Sequence, residues 1–351
     1  MDRYIGIDGH KQSCTIAVMG STGRRLKELR VETNANAIKA ALKSVPGERQ
    51  VCLEEGELSA WLYELCEPLA HRVVVAQPGK RAGSKSDSID AWSLADELRR
   101  GELNRLVYKA PSTYRPLREA VRCYEGMTRD TVRVKNRFQA VFRARGIGVS
   151  PEEIYSGTSR TSWLSKLPLG VRRRATLLGE ELDGVEDVRA ETETWLREEA
   201  SKVAAVKILS TAPGIGPIRA AQIVATVVSP ERFRTSRQFW SYCGLGIVMR
   251  TSSDWVKDSR QGWLRKEVMQ TRGLNRNRNS MMKRVFKGAA MTVLQRQADH
   301  PLTRHYAEML NRTKPNLARL TIARKIAATV LAMWKKKEEY DPKRHEPPAR
   351  S

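Results

Sequence analysis

The sequence predicts a mixed α/β N-terminal domain, a helical middle and a mainly helical, strongly basic C-terminal part. Three observations lead there. The N-terminal third alternates in hydrophobicity as three successive short strands and then as helix–strand pairs. Leu117, Ala120, Tyr124, Met127, Thr131, Val134, Phe138 and Val141 repeat at alternating spacings of three and four, an a/d heptad stripe. Charge is also divided sharply. Residues 1–105 carry 16 basic and 15 acidic side chains, residues 106–205 carry 18 and 14, and residues 206–351 carry 29 and 10.

Arg3–Asp8 reads as a short buried strand ending in Asp8, Ser13–Met19 as a second, and Leu26–Thr33 as a third after the turn Gly20-Ser21-Thr22-Gly23. Asn34–Ser44 is Ala-rich and helical. Gln50–Glu54 is a fourth strand, Leu58–Leu69 has helical spacing, and Arg72–Ala76 is a fifth strand stopped by Pro78-Gly79. Ser86–Arg100 is a helix, starting at Ser86 or Asp87 and stopped by Gly101. A three-strand meander followed by alternating helices and strands is the order of the RNase H-like fold, in which helices cover a partly parallel sheet. A Rossmann-type sheet does not open with three consecutive strands, and it needs a Gly-rich first turn that Asp8-Gly9-His10-Lys11 does not supply. Beyond residue 105 the heptad is broken at Gly146-Ile147-Gly148, and a second stripe runs Val185, Val188, Thr192, Leu196, Ala200, Val203. Two long helices joined by a loop-containing segment form either an antiparallel coiled-coil arm or a plain helical bundle, and the first stripe is expected to meet a helix of a second protomer. Residues 206–335 read as a helical domain, and 336–351 as a charged, Pro-containing tail expected to be disordered.

The formal charge of +24 and pI of about 10.2 point to a polyanionic partner, most of all for residues 206–351 at +19. The basic residues do not form one amphipathic anchor helix, which argues against a membrane surface. No run approaches the roughly 18 apolar residues of a membrane span. Met1-Asp2-Arg3 leads straight into a strand, so the chain is expected to be soluble, cytoplasmic and nucleoid-associated. Five cysteines, none in a C-x-x-C pair, argue against a disulfide framework or a structural zinc site; Cys14 and Cys52 read as small core residues.

Four acids stand out by position. Asp8 ends the first strand, Glu54 ends the fourth, and Asp87 and Asp90 lie three apart on one face of the helix after the fifth. A lone Asp at a strand end is ordinarily a turn or cap residue, and Glu55 and Glu57 flank Glu54 as substitutes for it. Together, at one end of one sheet, the four would repel one another unless cations neutralised them. Hard oxygen donors suit Mg²⁺ or Mn²⁺, and paired ions of this kind serve phosphoryl transfer.

Tyr4-Ile-Gly-Ile-Asp8-Gly-His-Lys11, Cys52-Leu-Glu54-Glu and Lys85-Ser-Asp87-Ser-Ile-Asp90-Ala resemble, in order, the DEDD transposases of the insertion sequence 110 family. Ala212-Pro-Gly-Ile-Gly216-Pro, Tyr242-Cys-Gly244-Leu245 and Arg272-Gly-Leu-Asn275 are similar to that family's C-terminal domain. The resemblance implies a RuvC-like nuclease domain (1–105), a coiled-coil arm used in assembly (106–205) and a transposase domain (206–335) that supplies a serine. It further implies a homo-oligomeric recombinase acting on donor and target DNA under the guidance of a structured RNA. Counting from Gly244 places the family serine at Ser252. Ile247 replaces a family proline and Ser253 a family glycine, which leaves Ser252 against Ser253 open.

Leu209–Ile223 independently resembles a helix-hairpin-helix, whose Gly214 and Gly216 would let backbone N–H groups approach a phosphate at the start of the next helix; a tight turn between core helices is the plainer alternative. Arg219, Arg250, Lys257, Arg260, Arg265, Lys266, Arg272, Arg276 and Arg278 are candidate nucleic-acid contacts, and Trp255 and Trp263 either stack on bases or pack in a core. Two competing functions share the same carboxylates: a junction-resolving nuclease that hydrolyses without the serine, and a nucleic-acid-binding protein on an inactive scaffold.

Overall fold

The computed structural model describes residues 1–78, 87–109, 111–251, 255–259, 262–265 and 269–345. The chain divides into two compact units, Met1–Thr113 and Tyr114–Ser351.

In the first unit, β1 (Asp2–Gly9), β2 (Ser13–Gly20) and β3 (Arg25–Glu32) form the expected meander. Next come α1 (Ala35–Lys43), β4 (Glu48–Glu54), α2 (Ser59–Cys66), β5 (Arg72–Ala76) and α3 (Asp87–Arg100). The sheet order is β3-β2-β1-β4-β5, extended by a two-residue edge strand, β6 (Leu106–Val107), that the sequence reading does not contain. β4 runs parallel to β1 and β5 parallel to β4; the other pairings are antiparallel.

The strand period of two sorts the side chains between the faces. Ile5 and Ile7 of β1 join Val51, Leu53, Ile38 and Leu42 in the core under α1 and α2. On the opposite face, Ala17, Met19, Cys52 and Ala76 meet Ala91, Ala95, Leu94 and Leu98 of α3. Gly6 lies on this second face, where a Cβ would fall 1.9 Å from the Ala91 carbonyl oxygen. Only glycine allows so close an approach of helix to strand. Cys14 and Cys52 are fully buried, and burial pushes the Cys52 thiol up to about 12.

The second unit opens with α4 (Arg115–Arg143). Two short helices, α5 (Pro151–Tyr155) and α6 (Gly157–Ser165), then turn the chain back into α7 (Leu169–Ser201). Leu117 and Ala120 share a core with Leu196 and Ala200, and Phe138 and Val141 share one with Leu178 and Leu182, so α4 and α7 are antiparallel. The stripe expected to meet a second protomer is therefore covered by α7 of the same chain. The second stripe begins at Val185; α7 begins 16 residues earlier, at Leu169, and so matches α4 along its length. Its phase also differs. Leu178, Leu182, Thr192 and Leu196 are buried, Val185 and Arg189 are half-buried, and Val188 is 45% exposed. Alternating steps of four and three from Leu178 reach position 189, not 188. Val203 lies past the helix end. At the arm's tip the buried Arg160 donates to the Ile154, Tyr155 and Gly179 carbonyls and to both Asp183 oxygens.

The base of the arm packs into the core formed by α8 (Ala204–Ser210), α9 (Pro217–Val227), α10 (Ser236–Tyr242) and the later helices. Two β-ribbons interrupt the expected helical domain: β7 (Ile247–Thr251) pairs with β10 (Met269–Leu274), and β8 (Trp255–Asp258) with β9 (Gly262–Arg265). Their strands are four to six residues long, too short for the alternation to stand out from the dense charge around it. α11 (Ser280–Arg296), α12 (Pro301–Leu310) and α13 (Pro315–Lys336) complete the unit. The segment after α13, expected to be disordered, is docked as far as residue 345. The Tyr340 N–H donates to Thr211 Oγ1, its hydroxyl lies 3.1 Å from His300 Nε2, and His345 pairs with Thr329. Its aromatic rings give this short tail something to bury. Among the described residues no helix is long and apolar enough to cross a membrane.

Phe138 is fully buried against Phe142, Ile154 and Leu182 of its own chain. Phe138→Ala should cost about 3–5 kcal/mol locally. Hydrogen exchange should accelerate across residues 134–182, while exchange in residues 1–113 and the elution volume of the protein stay unchanged. A change of elution volume with no change in exchange would show that the stripe holds protomers together instead.

Candidate metal centre

Asp8 is the last α3-facing residue of β1 and is 4% exposed. Parallel register pairs Ile7 with Leu53, so Asp8 and Glu54 are the next residues of adjacent strands, and alternation turns both toward the α3 face. Asp87 and Asp90 occupy the first turn of α3, where the helix dipole favours negative charge. The contact at Gly6 holds that turn close to the end of β1.

The tightest group is Asp8, His10 and Asp87, whose candidate ligand atoms all lie within 4.8 Å of one another. His10 Nε2 is 3.3 Å from Asp8 Oδ2 and 3.1 Å from Asp87 Oδ1. Arg30 of β3 donates to the other Asp87 oxygen at 3.0 Å. Burial raises the Asp8 carboxyl above its ordinary value; His10 opposes the shift, and the charges of Asp87 and Asp90 add to it. Asp90 therefore acts on Asp8 through its charge. Glu54 shares the face without belonging to the tight group. His10 and Arg30 were not among the candidates. The signal for His10 was its place two residues after a strand-ending acid; Arg30 is brought in by the β2–β3 register, which no local motif announces.

The donor set of carboxylate oxygens and one imidazole nitrogen suits a divalent cation. A buried carboxyl crowded by two further acids, with one imidazole nitrogen shared between two of them, is the charge pattern such an ion relieves.

Residues 5–144 match the DEDD transposase model of the insertion sequence 110 type, and residues 206–307 match the transposase IS116/IS110/IS902 family. The chain belongs to the insertion sequence 110 family of transposases. A comparison with curated proteins finds no match. As a member of this family the transposase is an enzyme that acts on DNA, and the family's DEDD signature suggests a divalent metal.

The remaining candidates lie in the second unit. Ser252, Ser253, Arg260 and Lys266 fall outside the described residues. Arg250, Lys257, Arg265 and Arg272 lie on β7, β8, β9 and β10, and Arg276 is exposed in the turn after β10. Arg278 donates to the Asn275 carbonyl and covers Gly244, where a Cβ would fall 2.0 Å from its Cδ. Gly214 takes φ +67° against the backbone of Ala289, and Gly216 caps α9. Arg219 Nη1 donates to the Gly214 carbonyl at 2.6 Å and to Thr292 Oγ1 at 3.0 Å, which ties the turn to α11. A cavity of about 560 Å³ beside Gly216 is lined by Arg197, Arg284 and Arg296, which the sequence reading missed, as well as by Arg219.

The Asp8 shift makes a signed prediction. Its folded-state value lies above its ordinary 3.8, so ionised Asp8 is a penalty on the fold. The penalty is absent below the unfolded value, where both states are protonated, and complete once pH exceeds the folded value. With a chelator present, Asp8→Asn should raise the melting midpoint at pH 7. The difference should vanish near pH 3. Mn²⁺ should then stabilise wild type and leave the variant unmoved. A variant that melts below wild type at pH 7 without metal would contradict this account of the site.

Proposed function

We propose that this transposase cuts and rejoins DNA at a divalent-metal site formed by Asp8, Glu54, Asp87 and Asp90, with His10 as a further ligand and Ser252 as the nucleophile. The observation that carries the reading is the approach of Asp8, His10 and Asp87 to within 4.8 Å at the end of β1. The sheet order β3-β2-β1-β4-β5, with two central parallel pairs, supports an RNase H-like, RuvC-like assignment for the first unit. Mg²⁺ or Mn²⁺ held there would neutralise the carboxylates and polarise a phosphodiester.

The chain's own residues then divide the work. Asp8 and Glu54, fixed on adjacent strands, set the site's position, and Asp87 and Asp90 close it from α3. His10, within reach of both Asp8 and Asp87, would add an imidazole nitrogen to the ligand set. The serine hydroxyl attacks phosphorus; the Oγ–P bond forms as the bond to the leaving deoxyribose oxygen breaks, and the serine proton passes to that oxygen. The resulting ester keeps the energy of the phosphodiester, so a free hydroxyl can reverse the step and rejoin strands. Arg250 and Lys257, on the strands either side of Ser252, would offset developing negative charge.

The turn at Gly214–Gly216 with its surrounding arginines would hold the DNA backbone without reading bases. The arm (106–205) would serve assembly, and a structured RNA would supply the sequence information, as family resemblance implies.

Asp8→Asn, Glu54→Gln, Asp87→Asn and Asp90→Asn should each abolish strand cleavage while nucleic-acid binding survives. Ser252→Ala should remove both cleavage and the covalent protein–DNA adduct seen on a denaturing gel. If Ser253→Ala is inactive and Ser252→Ala active, the register shifts by one. If the double variant still cuts, water is the nucleophile and the enzyme hydrolyses.

Binding should also fall steeply with salt, the logarithm of affinity dropping by about 0.9 per phosphate contacted for each tenfold rise in salt. Residues 206–351 should account for most of that slope; a flat salt response of the full chain would exclude a backbone-binding role for them.

A further inference from the structure

A second cavity, of about 930 Å³, lies at the root of the β7–β10 ribbon, between it and helices α11 and α13. Ile247, Leu274, Met291, Leu317 and Leu320 give it an apolar surface. Lys283, Lys287, Arg319 and Arg324 stand among them, and no Asp or Glu is among its described lining residues. Two features set it apart from an ordinary groove. Ile247 and Leu317 are 51% and 54% exposed, so large aliphatic groups are held in water on opposite sides of it. Among the described residues no carboxylate pairs with its cations. Arg324 donates Nε–H to the Leu245 carbonyl, while its Nη2 is buried with no partner. Burial together with the charges of Arg278 and Lys287 lowers the Lys283 ammonium from its ordinary value. On the arm side of α11, by contrast, Arg284 is bridged to Glu125.

A lipid or an apolar metabolite would use the aliphatic surface and leave four cations unanswered. A DNA duplex would answer the cations, but its bases are stacked away from the aliphatic surface. A single strand does both, because an unstacked base has an apolar face and carries a phosphate on either side. We propose that this groove binds one unpaired nucleotide of a DNA strand, its base against Leu317, Ile247 and Leu320 and its phosphates on Lys283 and Lys287. The volume suits one nucleotide with room at the rim. This inference rests on the proposed DNA chemistry and adds a single-strand site to it.

The test uses the full chain and fluorescence anisotropy with three labelled probes: an oligo(dT) of about twelve nucleotides, a duplex of equal length, and oligo(rU). Leu317→Ser, at an exposed position where folding is little affected, should weaken oligo(dT) binding about tenfold and duplex binding less than twofold. Leu169→Ser, which removes an 83% exposed leucine elsewhere, should change neither. Lys283→Gln/Lys287→Gln should lower the salt slope for oligo(dT) by about one. Equal losses on duplex and single strand, or tighter and Leu317-dependent binding of oligo(rU), would overturn the inference. Wild type that binds neither DNA probe would sink the proposed function as well. Wild type that binds DNA, with Leu317 and lysine variants indistinguishable from it, would sink the groove alone.

Discussion

The carboxylate site depends on one van der Waals contact, the approach of α3 to β1 across Gly6. A side chain there would meet the Ala91 carbonyl at less than 2 Å, so any other residue must push helix and strand apart. Ala91 and Ala95 keep the helix's side of the contact equally flat. Because α3 lies against the strand, its first turn overhangs the end of β1 and brings Asp87 to the same imidazole nitrogen as Asp8. Trp92 and Ser88 fasten the helix to β3 through Glu28, with Arg25 stacked on the indole. The acids themselves cannot hold this arrangement, since their mutual repulsion opposes it and burial of Asp8 adds to the cost. Apolar packing supplies the rigidity, and a cation would remove the strain.

The arm follows the same logic with a different motif. Its apolar stripe is satisfied within the chain, so the helices are held by their own hairpin. At its base, Leu117, Val121, Leu196 and Ala200 merge into the C-terminal core, which makes the arm a rigid extension of that unit. The buried Arg160 makes five hydrogen bonds at the far end, and Gly179 leaves the room its guanidinium occupies. Any contact between copies must then use the outer faces. Those faces differ in charge: α4 is rich in arginine, while α7 from Ala175 onward is predominantly acidic.

What could be read from the sequence follows from how each feature is encoded. The meander and the alternating helices were legible because burial imposes a period of two on strands and about 3.6 on helices. Asp8 and Glu54 were legible because strand ends are local, and parity then decides the face. His10 and Arg30 were not, because a turn and an edge strand reach the site only through pairings between distant residues. The second arm stripe was misphased at Val188 because an apolar residue was preferred to Arg189, whose long stem lies half-buried along the seam. The β7–β10 and β8–β9 ribbons were missed for a related reason: in strands this short, surrounded by arginine and lysine, composition outweighs pattern.

The division of charge along the chain has a mechanistic consequence. A carboxylate cluster attracts a divalent cation only if arginine and lysine have not already neutralised it, as Arg30 partly does at Asp87. A region that grips DNA needs the opposite, a surplus of cations over acids. One surface cannot satisfy both demands, because side chains close enough to hold a phosphate would also pair with the acids. Residues 1–105, with 16 basic and 15 acidic side chains, are nearly balanced, whereas residues 206–351, with 29 and 10, hold most of the chain's cationic surplus. The separation also fits the place of the groove whose described lining carries four cations and no Asp or Glu, which belongs to the second unit.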